Sequence, residues 1–395
     1  MDARKLRAWW WSRQGLDDSL KGKKPAEILT RTGWSRSVGG VGPYLTLFSR
    51  GGASREAVDG AVAKLQIHEL PTARGCTYVV PAADFALGLT VGRQFNNDMK
   101  TAVKLGVTEK EIDKLCDAVV KALEKGPMDP DGIREATGKA SRGLGDEGKR
   151  KGLTTTLPLA LGRLQTEGKI RRVPTNGRLD QQRYKYANWS PSPLTNYPES
   201  LGAAFTELAR HYYGWAGPAT LGEFQEFAGL GVKATKQAIE PLGLVPVEAG
   251  SDRLLLLADA AAFKAYEPPS KPHYNLISGL DPINANRREI QTMIDEKDRT
   301  RSVVVDSKPD KLGGLVDLPS HAILDRGQII GLWEFDVDSS SIVWATFNGK
   351  KDKALEAAVE ETQRYVHDQL GDARSFSLDS PKSRALRVRS LKQWR

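Results

Sequence analysis

The densest set of side chains able to do chemistry lies in IHELPTARGCTYVVPAADF, residues 67–85. His68, Glu69, Arg74 and Asp84 fall within 17 residues there. A carboxylate can take a proton or stabilise positive charge, and a guanidinium can hold a phosphate. One interpretation puts Arg74 on a phosphate and Glu69 or Asp84 beside a target nucleotide. In the structural alternative, Arg74 shapes a hairpin tip and pairs with Glu69.

Two further segments combine polar and aromatic groups. RHYYGWAGPAT holds His211, Tyr212 and Trp215, which could stack on unpaired bases or pack in a core. LISGLDPINANRRE places Asp281 close to Arg287 in a stretch interrupted by Gly and Pro. Polar residues on loops can be functional, but Asp-Pro also opens turns. Both interpretations stay open for each segment.

Metal and nucleotide motifs are missing from the sequence. The five histidines are scattered without a His-x-x-x-His spacing, and the two cysteines form no Cys-x-x-Cys pair. SVGGVGPY is rich in glycine but lacks the Lys-Ser/Thr of a phosphate-binding loop. We therefore expect no metal site and no cofactor.

The distribution of charge favours a polyanionic partner. The chain has 395 residues and a formal net charge of +9. Residues 139–185 contain 12 Lys or Arg and 4 Asp or Glu, which is most of the excess. Such clustering indicates nucleic-acid binding, although a charged face that is merely solvated has the same composition.

The elements around this basic region have a recognisable order. Periodic apolar positions and caps in residues 108–189 predict three helices, followed by two short strands around TNGRLD. This is the order of a winged helix, whose third helix faces a DNA groove. The basic residues expected to face phosphates in this unit are Arg163, Lys169, Arg171, Arg172 and Arg178.

A similar plan occurs in the first 95 residues and again in residues 201–257, so the predicted class is α+β. We expect three tandem winged-helix units and a β-rich C-terminal region capped by a helix. The basic stretch SPKSRALRVRSLKQWR then ends the chain as a DNA-contacting tail or as a solvated terminus. The predicted domains are residues 1–100, 101–190 and 191–268 for the winged helices and 269–395 for the C-terminal region.

The chain also lacks the patterns of export and membrane insertion. No run of 18 apolar residues exists, and MDARKLRAWWWSRQ has no apolar signal core. We expect a cytoplasmic, nucleoid-associated protein with no membrane partner.

Several segments in order resemble one family. LRAWWWSRQGL, RGCTYVVPAADF, YYGWAGPATLGEFQEFAGL, GLDPINANR and HAILDRGQIIGLW are similar to the AlkZ/YcaQ-like winged-helix DNA glycosylases. The resemblance implies a C-shaped array of winged helices wrapped round damaged double-stranded DNA. We expect the protein to act as a monomer. It also implies metal-free hydrolysis of the N-glycosidic bond of alkylated or crosslinked bases, in repair or self-resistance.

The chain departs from this family at the catalytic motif. In the family a Gln-x-Gln or Gln-x-Asp motif positions the attacking water. Here the resemblance places Ser35 and Ser37 at those two positions, with Arg36 between them. A hydroxyl can hold water but is a poor base. The resemblance therefore leaves Glu69, Asp84 or Asp59 to supply the carboxylate.

The expected site follows from these observations. The expected catalytic residues are Ser35, Ser37, Glu69 and Asp84. The expected DNA-binding residues are Arg36, Arg74, Arg163, Lys169, Arg171, Arg172, Arg178, His211, Tyr212 and Arg287. The serine replacements keep open a non-catalytic DNA-binding regulator or architectural protein. A hydrolase acting on something other than DNA is a further alternative, against which the basic cluster argues.

Overall fold

The structure is a computed structural model that describes residues 2–95, 98–181 and 183–394. Helices and antiparallel strands alternate along the chain, so the predicted α+β class is confirmed.

The first segment is built of helices that enclose a three-stranded sheet. The predicted plan of helices followed by a hairpin is present here, and Pro43 lies in the first turn of its helix, where the missing N–H costs no hydrogen bond. A two-residue strand pairs with the second strand of the hairpin, which gives the order β1-β3-β2. The elements are α1 (Ala3–Arg13), α2 (Pro25–Thr32), β1 (Ser35–Arg36), α3 (Gly42–Gly51), α4 (Arg55–Ala63), β2 (Ile67–Pro71), β3 (Thr77–Pro81) and α5 (Phe85–Gly92).

Two helices of the second segment begin at residues whose types predict a helix start, Thr108 and Asp129. The Thr108 hydroxyl accepts a hydrogen bond from the Glu111 amide at 3.2 Å, and the Asp129 carboxylate accepts one from the Gly132 amide at 2.8 Å. The elements are α6 (Asp98–Val103), α7 (Glu109–Ala122), α8 (Pro130–Thr137), α9 (Gly145–Arg150), α10 (Leu157–Thr166), β4 (Ile170–Pro174) and β5 (Tyr184–Asn188).

The third segment repeats the topology of the first. Its short first strand again pairs with the second strand of the hairpin, in the order β6-β8-β7. In the second segment, Met128 bridges Tyr186 of β5 in the same way. The elements are α11 (Leu201–Ala216), β6 (Ala219–Thr220), α12 (Leu221–Ala228), α13 (Val232–Ile239), β7 (Val245–Pro246), β8 (Arg253–Leu255) and α14 (Leu257–Ala265).

The C-terminal region contains a four-stranded antiparallel sheet in the order β14-β13-β12-β9. The predicted amphipathic helix is confirmed as α16, which continues in a π-helical turn over Val366–Leu370 and stops at Gly371, whose φ of 78° suits a residue without a Cβ. The elements are β9 (Tyr274–Ile277), α15 (Pro282–Ala285), β10 (Ser302–Val305), β11 (Lys308–Lys311), β12 (His321–Asp325), β13 (Gln328–Asp336), β14 (Ser341–Thr346), α16 (Lys353–Tyr365) and α17 (Pro381–Gln393).

The sequence predicts a DNA-contacting tail or a solvated terminus for the basic C-terminal stretch, and the structure shows neither. It forms α17, which packs on β13 and β14. Arg384 forms an ion pair with Asp372 at 2.7 Å, and Arg387 forms one with Glu334 at 2.6 Å. These two arginines are therefore committed to holding the helix on the sheet and are not free to bind a phosphate.

The first segment shares its core with the C-terminal sheet, whereas the second segment has a core of its own. One residue crosses between them, since Leu179 from the β4–β5 loop is buried in the first of these cores. Within the described part of the chain, no helix combines the length and the apolar character needed to cross a membrane.

Candidate functional site

Two of the four predicted catalytic side chains meet in the structure. Ser37 follows β1, and Glu69 lies in β2 of the same sheet. The Ser37 hydroxyl donates a short hydrogen bond to Oε1 of Glu69. The Tyr184 hydroxyl, from β5 of the second segment, lies 3.5 Å from the same oxygen. A carboxyl group is therefore held between hydroxyls from two segments.

The surroundings of Glu69 favour its neutral form. Glu69 is 3% exposed, and its burial raises the pKa of its carboxyl group. The hydrogen bond from Ser37 and the charge of Arg172 act in the opposite direction on that pKa without cancelling the effect of burial. The Arg172 guanidinium lies over the Tyr184 ring, 5.0 Å from its centroid. Because burial is the main cause of this shift, exposing Glu69 to water would lower the pKa of its carboxyl group towards the ordinary value.

Ser35 belongs to a different network. Its hydroxyl donates to Oγ1 of Thr46 at 3.3 Å, and Thr46 donates to Oδ2 of Asp281 at 3.4 Å. Asp281 is paired with Arg50 through two hydrogen bonds of 2.7 and 2.8 Å, and both side chains are fully buried. Ser35 therefore lies against a buried ion pair, away from Glu69.

Asp84 and Asp59 lie apart from the Ser37–Glu69 pair as well. Asp84 accepts a hydrogen bond of 2.7 Å from Nε1 of Trp34 and lies 3.8 Å from Nδ1 of His211 on α11. Burial raises the pKa of Asp84. Asp59 accepts a hydrogen bond of 2.5 Å from Tyr44. Both carboxyl groups are engaged in contacts between packed elements.

The loop between β4 and β5 of the second segment packs on the first segment and the C-terminal region. Between β4 and β5, the Leu179 amide donates to the Tyr44 hydroxyl at 2.9 Å, and the Leu179 side chain is fully buried. Arg178 donates to the Leu370 carbonyl at 3.0 Å and pairs with Asp180. The Ser35, Ser37, Glu69 and Asp84 side chains are all buried, so none of them faces an open cleft.

A model of a known family matches residues 41–367, which is most of the chain, and describes DNA glycosylase AlkZ-like proteins. The chain belongs to the AlkZ-like DNA glycosylase family. The match begins beyond Ser35 and Ser37, so it does not depend on those two residues.

The Streptomyces sahachiroi DNA glycosylase AlkZ is a solved structure similar to this AlkZ-like chain. The two align with a TM-score of 0.70 at 18% sequence identity, over 95% of this chain and 98% of the other. At this identity the likeness concerns the fold. None of the curated proteins matches the sequence.

Three predicted DNA-binding residues of this AlkZ-like chain differ in their exposure and in their ion-pair partners. Lys169 is 59% exposed on its side chain and pairs with Glu167 at 2.9 Å. Arg163 pairs with two carboxylates of α7. Arg171 is half-buried and lines a cavity of about 550 Å³ together with Trp189. Arg163 would have to exchange its protein partners for phosphates.

The predictions that Tyr212 and Arg287 contact DNA are wrong, because both side chains are buried. Tyr212 is fully buried and stacks on Phe227 with ring centroids 5.0 Å apart. Arg287 is 2% exposed, donates to the Ala216 carbonyl and lies 3.5 Å from the Trp10 ring centroid. An enclosed Tyr212 ring cannot stack on a base and an enclosed Arg287 cannot contact a phosphate, so both belong to the core.

Arg74 and Arg36 are held by other residues than the sequence suggests. Arg74 donates to the Tyr78 hydroxyl at 3.1 Å and has no contact with Glu69, so the expected alternative pairing is wrong. Arg36 pairs with Asp317 at 3.0 Å.

In the described residues, no group of three His, Cys, Asp or Glu side chains is placed to hold a metal.

The sequence interpretation missed Tyr184 and Asp317. Tyr184 lies in the predicted strand RYKYANW, where the alternation of side chains alone gives no reason to expect contact with another segment. Asp317 lies in a connection between strands, and its pairing with Arg36 spans 281 residues. Local patterns carry no signal for contacts of this length.

Proposed function

We propose that this protein hydrolyses the N-glycosidic bond of an alkylated or crosslinked base in duplex DNA, as a monofunctional, metal-independent and monomeric glycosylase. The observation that supports this most is the hydrogen bond between Ser37 and Glu69. In this contact a carboxyl group lies beside Ser37, one of the two residues that the resemblance aligns with the water-positioning motif of the family. Membership of the AlkZ-like family supplies the reaction class.

The proposed reaction needs little from the protein. An alkylated purine is cationic and leaves readily when its bond to C1′ of the sugar breaks. Positive charge then builds on the sugar, and a nearby carboxylate stabilises it. In this proposal Glu69 provides that carboxylate and accepts a proton from the attacking water, which Ser37 orients. The water oxygen forms the new bond to C1′.

For this chemistry the β4–β5 hairpin has to move. It covers Glu69 through Tyr184 and is fixed through Leu179. We propose that DNA phosphates draw Arg171 and Arg172 of β4 towards the duplex and so lift the hairpin from β2. The Glu69 carboxyl group then meets water, and its pKa falls towards the usual range.

The proposed DNA surface follows from the three segments with the same topology, which we interpret as winged helices with the predicted bounds. The basic residues of the second unit, together with Arg36, Arg74 and His211, are its proposed contacts. Arg178 would join them once the hairpin has lifted. Such a protein would act on the nucleoid in the cytoplasm.

The test is a glycosylase assay on duplex DNA that carries N7-methylguanine, read out as abasic sites cleaved by alkali. The wild type is expected to exceed the spontaneous rate, and Glu69→Gln and Ser37→Ala are expected to lose that excess. Ser35→Ala is the matched control, because Ser35 contacts Thr46 and not Glu69. A wild type at the spontaneous rate, with DNA binding intact, would leave a non-catalytic DNA-binding protein.

A further inference from the structure

A cavity of about 550 Å³ lies where the β4–β5 hairpin meets the first segment, and its lining includes Arg171 and Trp189. The ladder of the hairpin pairs Arg171 with Ala187. It continues past β5, because the Trp189 amide donates to the Lys169 carbonyl at 2.8 Å. Side chains two residues apart on a strand share a face, so Arg171 and Trp189 are diagonal neighbours on one face of the hairpin.

The contact with Glu69 lies on the opposite face of the hairpin, because successive side chains of a strand alternate. Arg172 lies over the ring of Tyr184, whose hydroxyl is 3.5 Å from Oε1 of Glu69. In β2 the two faces are likewise distinct, since His68, next to Glu69, packs against Trp189 with ring centroids 5.4 Å apart. The cavity is therefore separate from the proposed catalytic pair.

Arg171 brings an uncompensated positive charge to the cavity. Its half-buried guanidinium has no hydrogen bond and no ion pair with residues 2–95, 98–181 and 183–394. No nitrogen of this group is among the buried unpaired atoms of those residues, so the guanidinium stays accessible from the cavity. Burial lowers the pKa of Arg171, and no described carboxylate offsets that effect. A partly desolvated cation of this kind is stabilised by an anion.

Trp189 and Ser190 add further hydrogen-bond donors to the lining. Trp189 is 8% exposed, and its Nε1–H group finds no acceptor in the described part of the chain without being fully buried there. A largely buried indole N–H usually has an acceptor, so this one indicates an acceptor that a ligand supplies. Ser190 is exposed at the cavity, and none of the lining residues is acidic. The remaining polar residue of the lining, Asn188, already donates its amide to the Val120 carbonyl at 3.0 Å.

The rest of the lining is apolar. It consists of one leucine, one phenylalanine, three alanines and two prolines, with Leu65 and Phe85 as the largest. The volume falls in the range of about 300–1,000 Å³ that small-molecule sites occupy. A ligand that fits this lining has one anionic group beside an uncharged organic part.

The number of donors favours a phosphate over a carboxylate. A guanidinium that binds a carboxylate through two parallel hydrogen bonds occupies both of its oxygens, whereas a phosphate keeps further oxygens for other donors. We propose that this cavity binds an organic phosphate. Its oxygens accept from Arg171, Trp189 and Ser190, and its organic part lies against Leu65 and Phe85. A nucleotide with an unpaired base has this composition.

The inference rests on the proposed function in one respect, since DNA is one source of such a nucleotide. A free nucleotide carries the same phosphate, so the experiments separate the two sources. The role is binding and not chemistry, because the cavity and Glu69 lie on opposite faces of the hairpin.

The first experiment measures binding of thymidine 5′-monophosphate to the full chain by calorimetry, with thymidine and inorganic phosphate as separate probes. The nucleotide is expected to bind at least about tenfold more tightly than either probe, because thymidine lacks the charge for Arg171 and phosphate lacks the organic part. Thymidine that binds as tightly as the nucleotide contradicts the phosphate contact. Inorganic phosphate that binds as tightly contradicts the apolar wall, and either result overturns the proposal.

Two variants test the donors. Arg171→Gln is expected to weaken nucleotide binding at least about tenfold, because a hydrogen bond from a charged group is lost. Trp189→Phe removes the indole N–H but keeps an aromatic ring beside His68, and it should weaken binding about two- to tenfold. Unchanged affinity in both variants contradicts the proposed site.

A third variant blocks the cavity and leaves the donors in place. Ala83→Trp puts a large ring at an exposed position of the lining and should abolish nucleotide binding. Ala262→Trp, exposed on α14 and outside the lining, is the matched control and should bind as the wild type does. Nucleotide binding that survives Ala83→Trp in a folded protein overturns the proposal.

The second experiment compares a fully paired duplex with the same duplex carrying a short single-stranded thymidine extension. Tighter binding of the extended duplex that Ala83→Trp removes identifies DNA as the source. Binding of the free nucleotide without a preference for the extension keeps the site and assigns it to a free nucleotide. A chain that binds neither probe contradicts the inference. None of these results depends on abasic-site formation, so a failure of the glycosylase assay leaves this inference intact, and the reverse also holds.

Discussion

The Tyr184 hydroxyl lies 3.5 Å from Oε1 of Glu69 and thereby joins β5 of the second segment to β2 of the first. The same hairpin carries Leu179, which is fully buried against the first segment. One movable element therefore covers the carboxyl group that we propose for catalysis. The exposure of Glu69 and the position of this hairpin should change together.

The first prediction concerns that movement. The Leu179 amide donates to the Tyr44 hydroxyl at 2.9 Å, so its hydrogen exchange should be slow in the free protein. Binding of duplex DNA should accelerate it if the hairpin lifts. The Leu332 amide in the C-terminal sheet is the reference, since Leu332 lies in a strand paired on both sides and belongs to a core that does not include Leu179, so it should stay protected. Unchanged or slower exchange at Leu179 on DNA binding contradicts a lifting hairpin.

The second prediction is a pH-dependent gain in stability from Glu69→Gln. Burial raises the pKa of Glu69 above its ordinary value of 4.5, so the folded state favours the protonated form. This contribution to the free energy of unfolding is fully present below the unfolded pKa and is lost as the pH rises through the folded pKa. Glutamine resembles the protonated form at every pH. The variant should therefore be more stable than the wild type at pH 7, and the difference should shrink towards pH 4.

Urea unfolding of both proteins across this pH range provides the measurement. Glu56→Gln, at an exposed position of α4, is the control and should show no such trend. A Glu69→Gln variant that is less stable than the wild type at pH 7 would mean that the carboxylate is needed in the folded state. Loss of glycosylase activity together with increased stability is the combination expected of a residue kept for function.

The third prediction concerns the salt dependence of DNA binding. Arg171 has no ion-pair partner within residues 2–95, 98–181 and 183–394, so a phosphate would meet an uncompensated charge there. Each phosphate contact contributes about 0.9 to the slope of log K against log salt concentration. Arg171→Gln should reduce that slope by about 1. The measurement is fluorescence anisotropy with a labelled duplex over a series of salt concentrations.

Lys392→Gln is the matched control for that series. The ammonium group of Lys392, on α17, already pairs with Asp336 of β13 at 3.0 Å. The control should leave the slope unchanged. An Arg171→Gln slope equal to that of the wild type would remove β4 from the DNA surface.

Local signals predicted most of the elements but few of the contacts within the site. The capping residues Thr108 and Asp129 and the stop at Gly371 act on neighbouring backbone groups, so a short stretch of sequence reveals them. The partner of Arg36 is 281 residues away, and Tyr212 looks the same in sequence whether it stacks on a base or on Phe227. Such outcomes depend on how the segments pack together.

The last prediction tests the buried ion pair behind Ser35. Arg50 and Asp281 pair at 2.7 Å with no exposure of either side chain, and Arg50 also donates to Gln14 at 2.9 Å. Asp281→Asn leaves a buried guanidinium without its counter-charge, which should reduce the free energy of unfolding by about 3–5 kcal/mol. Urea denaturation measures this loss.

The control for that loss is Glu147→Gln, which breaks the exposed pair of Glu147 on α9 with Lys151, the residue that follows this helix. Exposed pairs contribute little, so the control should change the free energy of unfolding by less than about 1 kcal/mol. If Asp281→Asn costs as little as the control, then Arg50 must reach water or another acceptor in solution. The ion pair would in that case contribute little to joining the first segment to the C-terminal region.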